Sequence, residues 1–259
     1  MNLVIILRGH ERGAFNNQKL NQFIVKLSKI FVNCRVHIHT WNKTEASKSW
    51  RKLECSQNSI SELDVHAYFD VDVSCVIDNE EKVVISGKKR GKIGAIPLIC
   101  WKMMWYGQYR VIEDVYNWCD SDTIIMNMRI DFFSCKTTLK YQISEEYIVS
   151  KCRDAIKEPE KIVFLHENGE YDGIDNLYIG NAQIMRSLIH RFHFHLDRIC
   201  LEYDYLIFHE SMVYYEAMKL VGKPVEHNKL FYYVSLVRNK MKTFLFNSGF
   251  RIQNSNLHL

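Results

Sequence analysis

Several short clusters in this chain combine residue types that handle phosphate or move protons. Arg8-Gly9-His10 follows the apolar run Leu3 to Leu7, so a cation and a permissive backbone stand where a buried strand would end. The bland reading is an ordinary strand-ending turn. Thr40-Trp41-Asn42 follows a second β-rich run and offers two hydrogen-bonding side chains beside an aromatic face. That set suits a nucleobase, and a tryptophan there equally suits the rim of a core. Arg129-Ile130-Asp131 closes a third apolar run, Thr123 to Met128. A carboxylate in that place can coordinate a divalent ion bridging two phosphates while the arginine neutralises the same charge. The competing reading is a structural ion pair at a strand end.

Two later clusters add proton chemistry and backbone access. In Asp175-Asn176-Leu177-Tyr178-Ile179-Gly180-Asn181 a glycine lies between a strand and a helix start, where backbone approaches a substrate closely or simply turns into an N-cap. Glu210, between His209 and Ser211, opens a helix after Tyr205 to Phe208. It reads either as a general base facing a cleft or as a first-turn glutamate favoured by the helix dipole. Lys88-Lys89-Arg90 and Lys92 are broken up by Gly87, Gly91 and Gly94. This is a solvated turn or a lid facing phosphate or lipid.

Elements that would position these residues can be read from spacing. Leu3 to Leu7 is a strand, apolar residues from Leu20 to Phe31 recur at helical spacing, and Cys34 to Thr40 alternates as a strand does. A parallel βαβ unit follows. Residues 42–92 are polar and irregular, with short strands expected at Val71 to Ile77 and Lys82 to Ser86. After Pro97 an aromatic-rich helix runs from Leu98 to Trp118, its stripe more suited to core than to a site. Thr123 to Met128, Lys161 to Leu165 and Asn176 to Ile179 read as strands, and Ala182 to Phe192 and Ser211 to Val221 as helices. In an open α/β sheet ligands bind at the carboxyl ends of strands, where Arg8, Asn42, Asp131 and Glu210 would meet around one pocket.

Composition bounds the rest. A net charge of +4 is too mild for nucleic-acid binding by bulk electrostatics. The eight cysteines are scattered, with no Cys-x-x-Cys pair or zinc-ligand spacing, which suits a reducing, cytoplasmic setting. No run approaches the roughly 20 apolar residues of a membrane span, so any membrane contact is peripheral. The basic-aromatic segment from Lys229 to Lys242 is one candidate for it and packs on the core in the other reading. With three prolines, no Gly/Ser linker and no repeat, residues 1–259 read as a single domain.

In this order the segments Leu7-Arg8-Gly9-His10, Ile38 to Asn42, Met128 to Phe133, Asp175 to Asn181 and His209 to Ser211 resemble the GT-A class of glycosyltransferases. The likeness is to small bacterial and viral polysaccharide or lipopolysaccharide transferases of the WavE-like kind. The resemblance implies an α/β, Rossmann-like three-layer α/β/α sandwich with a mostly parallel central sheet. It implies a nucleotide-sugar donor gripped by Arg8, Gly9, Thr40, Trp41, Asn42, Lys102, Arg129, Asp131, Gly180 and Asn181, and a glycan or glycolipid acceptor. Asp131 stands at the end of that class's Asp-x-Asp position and would hold Mn²⁺ or Mg²⁺, but Arg129 replaces the first acid, so the arginine would share the metal's work. Glu210, with Asp175 as second choice, would remove the acceptor's proton and the outcome would be inversion. His227 is similar to a late histidine that touches the diphosphate. The rival readings are a nucleotidyl or phosphoryl transferase, and a carbohydrate-binding protein that kept the fold without its activity.

Overall fold

The computed structural model describes residues 2–46, 58–94, 96–134, 144–165, 175–204, 206 and 210–221. Strand β1 (Asn2–Arg8) is apolar on both faces, as a central parallel strand must be. It pairs in parallel with β2 (Asn33–Trp41) on one side and with β6 (Thr123–Arg129) on the other. The helix between the first two strands, α1 (Lys19–Ile30), lays Leu20, Phe23, Ile24 and Leu27 on the sheet, which is the face that the sequence spacing marks.

Beyond β2 lie α2 (Glu62–Tyr68), β3 (Val73–Asp78) and a two-residue antiparallel pair, β4 (Lys92–Ile93) with β5 (Ile96–Pro97). Helix α3 (Leu98–Tyr116) then leads back to β6. It is followed by α4 (Glu145–Lys157), β7 (Ile162–Phe164), β8 (Leu177–Asn181), α5 (Ala182–Glu202) and α6 (Ser211–Val221). Among the described residues, six of the eight strands form one sheet in the order β3-β2-β1-β6-β8-β7. β8 is antiparallel to both of its neighbours.

Alternation along β1 divides the core in two. Leu3, Ile5 and Leu7 join a cluster with Phe23 of α1, Val65 of α2 and Ile148 and Cys152 of α4. Val4 and Ile6 join Trp101, Trp105 and Ile112 of α3, Met185 and Phe192 of α5 and Met212 of α6. Trp105 stacks on Phe192 with ring centroids 4.2 Å apart, worth about 0.5–1.5 kcal/mol beyond the area the rings bury.

Two helices go beyond the sequence reading. Ser61 and Asp64 form a reciprocal capping box on α2, and Ser144 caps α4 ahead of Glu145 and Glu146. The strand expected over Lys82 to Ser86 does not form; those residues are irregular and insert Ile85 under Trp41 instead. Helix α5 runs ten residues past Phe192 (202 against 192), turning through a kink at His195 (φ −125°, ψ 17°). The expected strand before Glu210, His227 and the segment from Lys229 to Lys242 lie outside the described residues, apart from Leu206, which is buried.

One glycine sets the distance between helix and sheet. A Cβ on Gly107 of α3 would stand 2.6 Å from Nδ1 and 2.9 Å from Cε1 of His39, whose ring is wholly buried. Gly107→Ala is therefore expected to destabilise the protein by about 1–3 kcal/mol despite alanine's better helix propensity, because the rigid ring has nowhere to go. Urea unfolding of the variant measures it.

Candidate functional site

The strand order reverses between β1 and β6, where the chain leaves outward towards β3 and later returns to pair on the other side. Ligands in open α/β sheets bind outside the carboxyl ends of strands at such a switch point. There Arg8 and Arg129 are register partners on adjacent strands, and Arg8 is the partner of His39 across β1 and β2. Parallel pairing with equal strand endings thus puts two guanidinium groups side by side.

Arg8 is 2% exposed. Its Nε donates to Oδ1 of Asn127 at 2.9 Å, and one terminal nitrogen donates to the backbone carbonyl of Asp175. Asn127 in turn donates to Gln108 Oε1 at 3.0 Å and to the Tyr178 hydroxyl at 3.1 Å, and Tyr178 donates to Gln108. Burial lowers the affinity of Arg8 for its proton, and Asp175 and Tyr178 oppose this. The same burial pushes the Tyr178 hydroxyl up. A satisfied buried network of this kind fixes the guanidinium in one orientation. Its Nη1 makes no hydrogen bond among the described residues.

Arg129 forms a fork on Asp131, Nε to Oδ1 at 2.7 Å and Nη2 to Oδ2 at 2.5 Å, and donates from Nη1 to Oδ1 of Asn176 at 3.0 Å. Arg12 adds a second guanidinium on Oδ2 of Asp131 at 3.1 Å and lies 3.3 Å from Glu45. Arg12 has φ 48°, the left-handed region that a non-glycine residue adopts at a cost, and such strain collects at functional sites. Burial works against ionisation of Asp131, but Arg129 and Arg12 override it and hold the carboxyl below the usual carboxylate range.

Asp175 is 7% exposed, and its carboxylate accepts no hydrogen bond among the described residues while acting electrostatically on Arg8. Gly9 has φ 102°, and a Cβ there would meet nothing within 4 Å, so the backbone at the exit of β1 is open to a ligand. Thr40 is buried and donates to the Gly9 carbonyl at 3.0 Å. Trp41 is core-like, packed with Ile85 and Met103 and stacked on His10 at 5.8 Å and Tyr106 at 6.0 Å. Asn42 follows β2 at the same edge, its Oδ1 buried with no partner among the described residues.

Arg8, Gly9, Thr40, Trp41, Asn42, Arg129, Asp131 and Asp175 thus gather at one edge of the sheet. Other expected members go elsewhere. Lys102, in the first turns of α3, donates to the Ser86 carbonyl at 2.8 Å and pairs with Asp197 of α5 at 2.9 Å. Because β8 is antiparallel, Asn181 lies opposite Ile124, five residues before Arg129 along β6, or roughly 16 Å towards the other edge. Gly180 is a strand residue crowded by Ile162 and Met185, and Asn181 caps α5 through Gln183 N at 2.9 Å. Neither is a loop beside the arginines. Glu210 immediately precedes α6, which packs on α5, and the strand expected ahead of it lies outside the described residues. The sequence reading missed Arg12, Asn127, Tyr178, Gln108 and Asn176. An asparagine inside the apolar run Ile124-Ile125-Met126-Asn127-Met128 was the readable signal.

The donor set does not fit a divalent cation. Both oxygens of Asp131 already face guanidinium groups, and among the described residues no three His, Cys, Asp or Glu side chains come together. A groove of about 490 Å³ lined by Gln22, Val25, Lys26 and Asp70 lies along α1, away from this edge.

Beside the site, Asp78 accepts from His39 at 3.2 Å, Tyr106 at 3.0 Å and Arg110 at 3.2 Å. The hydrogen bond with His39 is the chief reason its carboxyl is held down to about 2. Burial keeps His10, His37 and His39 below the ordinary histidine range, and His193 is lowered to about 4. Below pH 6.5 the unfolded chain takes up protons that the native state refuses, so stability falls as pH drops from 6.5 towards 4. The Asp78 contribution survives until the pH passes below 3.8 and is lost towards 2. Urea midpoints at pH 7.5 and 5 should show the first decline, with net proton uptake on unfolding.

No known protein family matches the chain, and no curated protein matches it.

Proposed function

We propose that this edge grips the diphosphate of a nucleotide sugar and that the protein transfers the sugar to a hydroxyl of a glycan or glycolipid. The frame would be a three-layer α/β/α domain of the GT-A kind. The observation that carries this reading is the convergence, at the switch point of the sheet, of Arg8 and Arg129 with a nearly buried carboxylate, Asp175, that accepts no hydrogen bond among the described residues. Preorganised cations beside an unsatisfied acid are what departure of a diphosphate and removal of a proton require.

In this proposal the acceptor hydroxyl attacks the anomeric carbon in line while its proton passes to Asp175. The bond from that carbon to the phosphate oxygen breaks, and the nucleoside diphosphate leaves with its charge met by Nη1 of Arg8 and by Arg129. The open backbone at Gly9 admits the diphosphate closely. Asp131 orders Arg129 and Arg12, and no step passes through a metal ion. The product anomer would be inverted, which NMR of the product reads directly.

The experiment is a thermal-shift screen of nucleoside diphosphates and nucleotide sugars in EDTA. A ligand at a hundredfold excess over its Kd stabilises by about 2.7 kcal/mol, or roughly 5–10 °C for a domain of this size. A shift that EDTA leaves intact, with glycosylated acceptor and free nucleoside diphosphate on turnover, supports the proposal. Release of pyrophosphate points to nucleotidyl transfer instead. The locking of Asp131 by two arginines also favours a second reading, a carbohydrate-binding protein without turnover, for which binding would appear and product would not.

A further inference from the structure

The glycine-rich basic loop is rooted rather than loose. Lys102 Nζ holds the Ser86 carbonyl at 2.8 Å, Asp197 of α5 accepts the Lys88 backbone N–H at 2.9 Å, and Lys102 and Asp197 pair at 2.9 Å. A Cβ on Gly87 would stand 2.3 Å from Asp197 Oδ2, so the glycine permits this contact (φ 72°). Ile85 is buried beside Trp41 and Met103 on one side of the root, and Leu98 N donates to the Gly91 carbonyl at 3.0 Å on the other.

What this root presents to solvent is charge and apolar surface together. Lys89, Arg90 and Lys92 are exposed, as is Arg198 of α5, and among the described residues none of the four has an ion-pair partner. The acids of α5 nearby are engaged, Asp197 with Lys102 and Glu202 with Lys219. Phe194, 56% exposed and packed edge-on against Tyr109 and His193, stands just before the kink at His195, and Leu201, 75% exposed, stands one turn after Asp197. α3 leads into the start of β6 and α5 leaves β8 opposite Ile124, so the beginning of α3 and the end of α5 lie towards the carboxyl edge of the parallel strands, where Lys102 and Asp197 pair.

We propose that Lys89, Arg90, Lys92 and Arg198, with Phe194 and Leu201, form a docking surface for an anionic lipid bilayer. The cations complement the headgroup charge, and the two apolar side chains enter the interface, which a soluble polyanion would leave in water. The orientation turns the mouth of the site towards the membrane, where a lipid-linked acceptor would lie. The surface stands on its own observations and does not depend on what the cleft binds.

Co-sedimentation of the full chain with vesicles of phosphatidylcholine alone, or with roughly one-third phosphatidylserine, tests it. Sedimentation is expected with the anionic vesicles only, weakening as salt shortens the screening length. Each basic side chain near an anionic leaflet contributes about fivefold in partitioning, so the triple variant Lys89→Glu, Arg90→Glu, Lys92→Glu should lose on the order of a hundredfold or more. The pair Phe194→Ser, Leu201→Ser should also weaken binding, with unchanged circular dichroism and unfolding midpoint in both variants. Three outcomes overturn the proposal: no sedimentation with anionic vesicles, undiminished binding by the charge-reversed variant, or equal binding to soluble polyphosphate with no effect of the Phe194 and Leu201 changes. Because none of these readouts uses turnover, they are independent of the outcome of the nucleotide screen.

Discussion

Asp131→Ala is expected to destabilise the fold by about 3–5 kcal/mol in the absence of any metal, because it leaves the forked Arg129 and the strained Arg12 without their shared counter-charge. Removing one partner of a buried pair exposes the full desolvation cost of the other. Asp131→Asn, which keeps the shape and one acceptor, should lose less. Chemical denaturation in EDTA measures both. Binding of a nucleoside diphosphate should weaken but persist, since Arg129 loses the acid that orders it while Arg8 keeps its own partners, Asn127 and the Asp175 carbonyl. A metal ligand at this position would give the opposite pattern: stability in EDTA barely altered, and binding lost only where Mn²⁺ had supported it.

Asp175→Asn tests the chemistry at a limited cost to the architecture. The backbone carbonyl still accepts from Arg8, but the carboxylate charge that opposes the desolvation of buried Arg8 is lost. The unfolding free energy should therefore fall by about 1–3 kcal/mol, the cost of leaving a buried group less well compensated. The turnover rate should fall by about 10²–10⁴-fold, the contribution of a positioned general base. KM for the donor should move little, and Glu210→Gln should leave the rate nearly unchanged. If the two substitutions exchange these effects, Glu210 is the base and the assignment to Asp175 fails.

The strands that deliver the arginines were readable because buried parallel strands are continuous apolar runs, and a charged residue directly after such a run has one edge to occupy. Arg8 and Arg129 followed from that rule, and Asn42 and Asp131 from lying just beyond the same strand ends. What spacing does not encode is strand direction. Asn176 to Ile179 has the same apolar character whichever way it runs, so Gly180 and Asn181 were expected at the arginine edge and lie at the other. Asp175 and Asn176 arrive at the arginines for the same reason. Arg12 was hidden because its placement depends on a left-handed turn at a non-glycine residue, a conformation that no local pattern announces. Lys102 has the side-chain type of a phosphate ligand, and only the tertiary approach of α5 shows that Asp197 claims it. The helices α2 and α4 were legible in principle, through Ser61 with Asp64 and through Ser144 with Glu145.

The reversed strand has a further consequence. Parallel strands can offer the arginine edge only connections that must go on to cross the sheet, and their length is tied to that crossing. β7 and β8 run against each other, joined by a Leu165 N to Leu177 O hydrogen bond of 3.0 Å, so the chain leaves and re-enters the sheet at that edge. Such a connection can lengthen, shorten or change sequence at a loop-closure cost that grows only with the logarithm of its length. Under the proposed transfer, acceptor choice would diversify there while Arg8 and Arg129 kept the donor, a division of labour between a fixed grip and an interchangeable jaw.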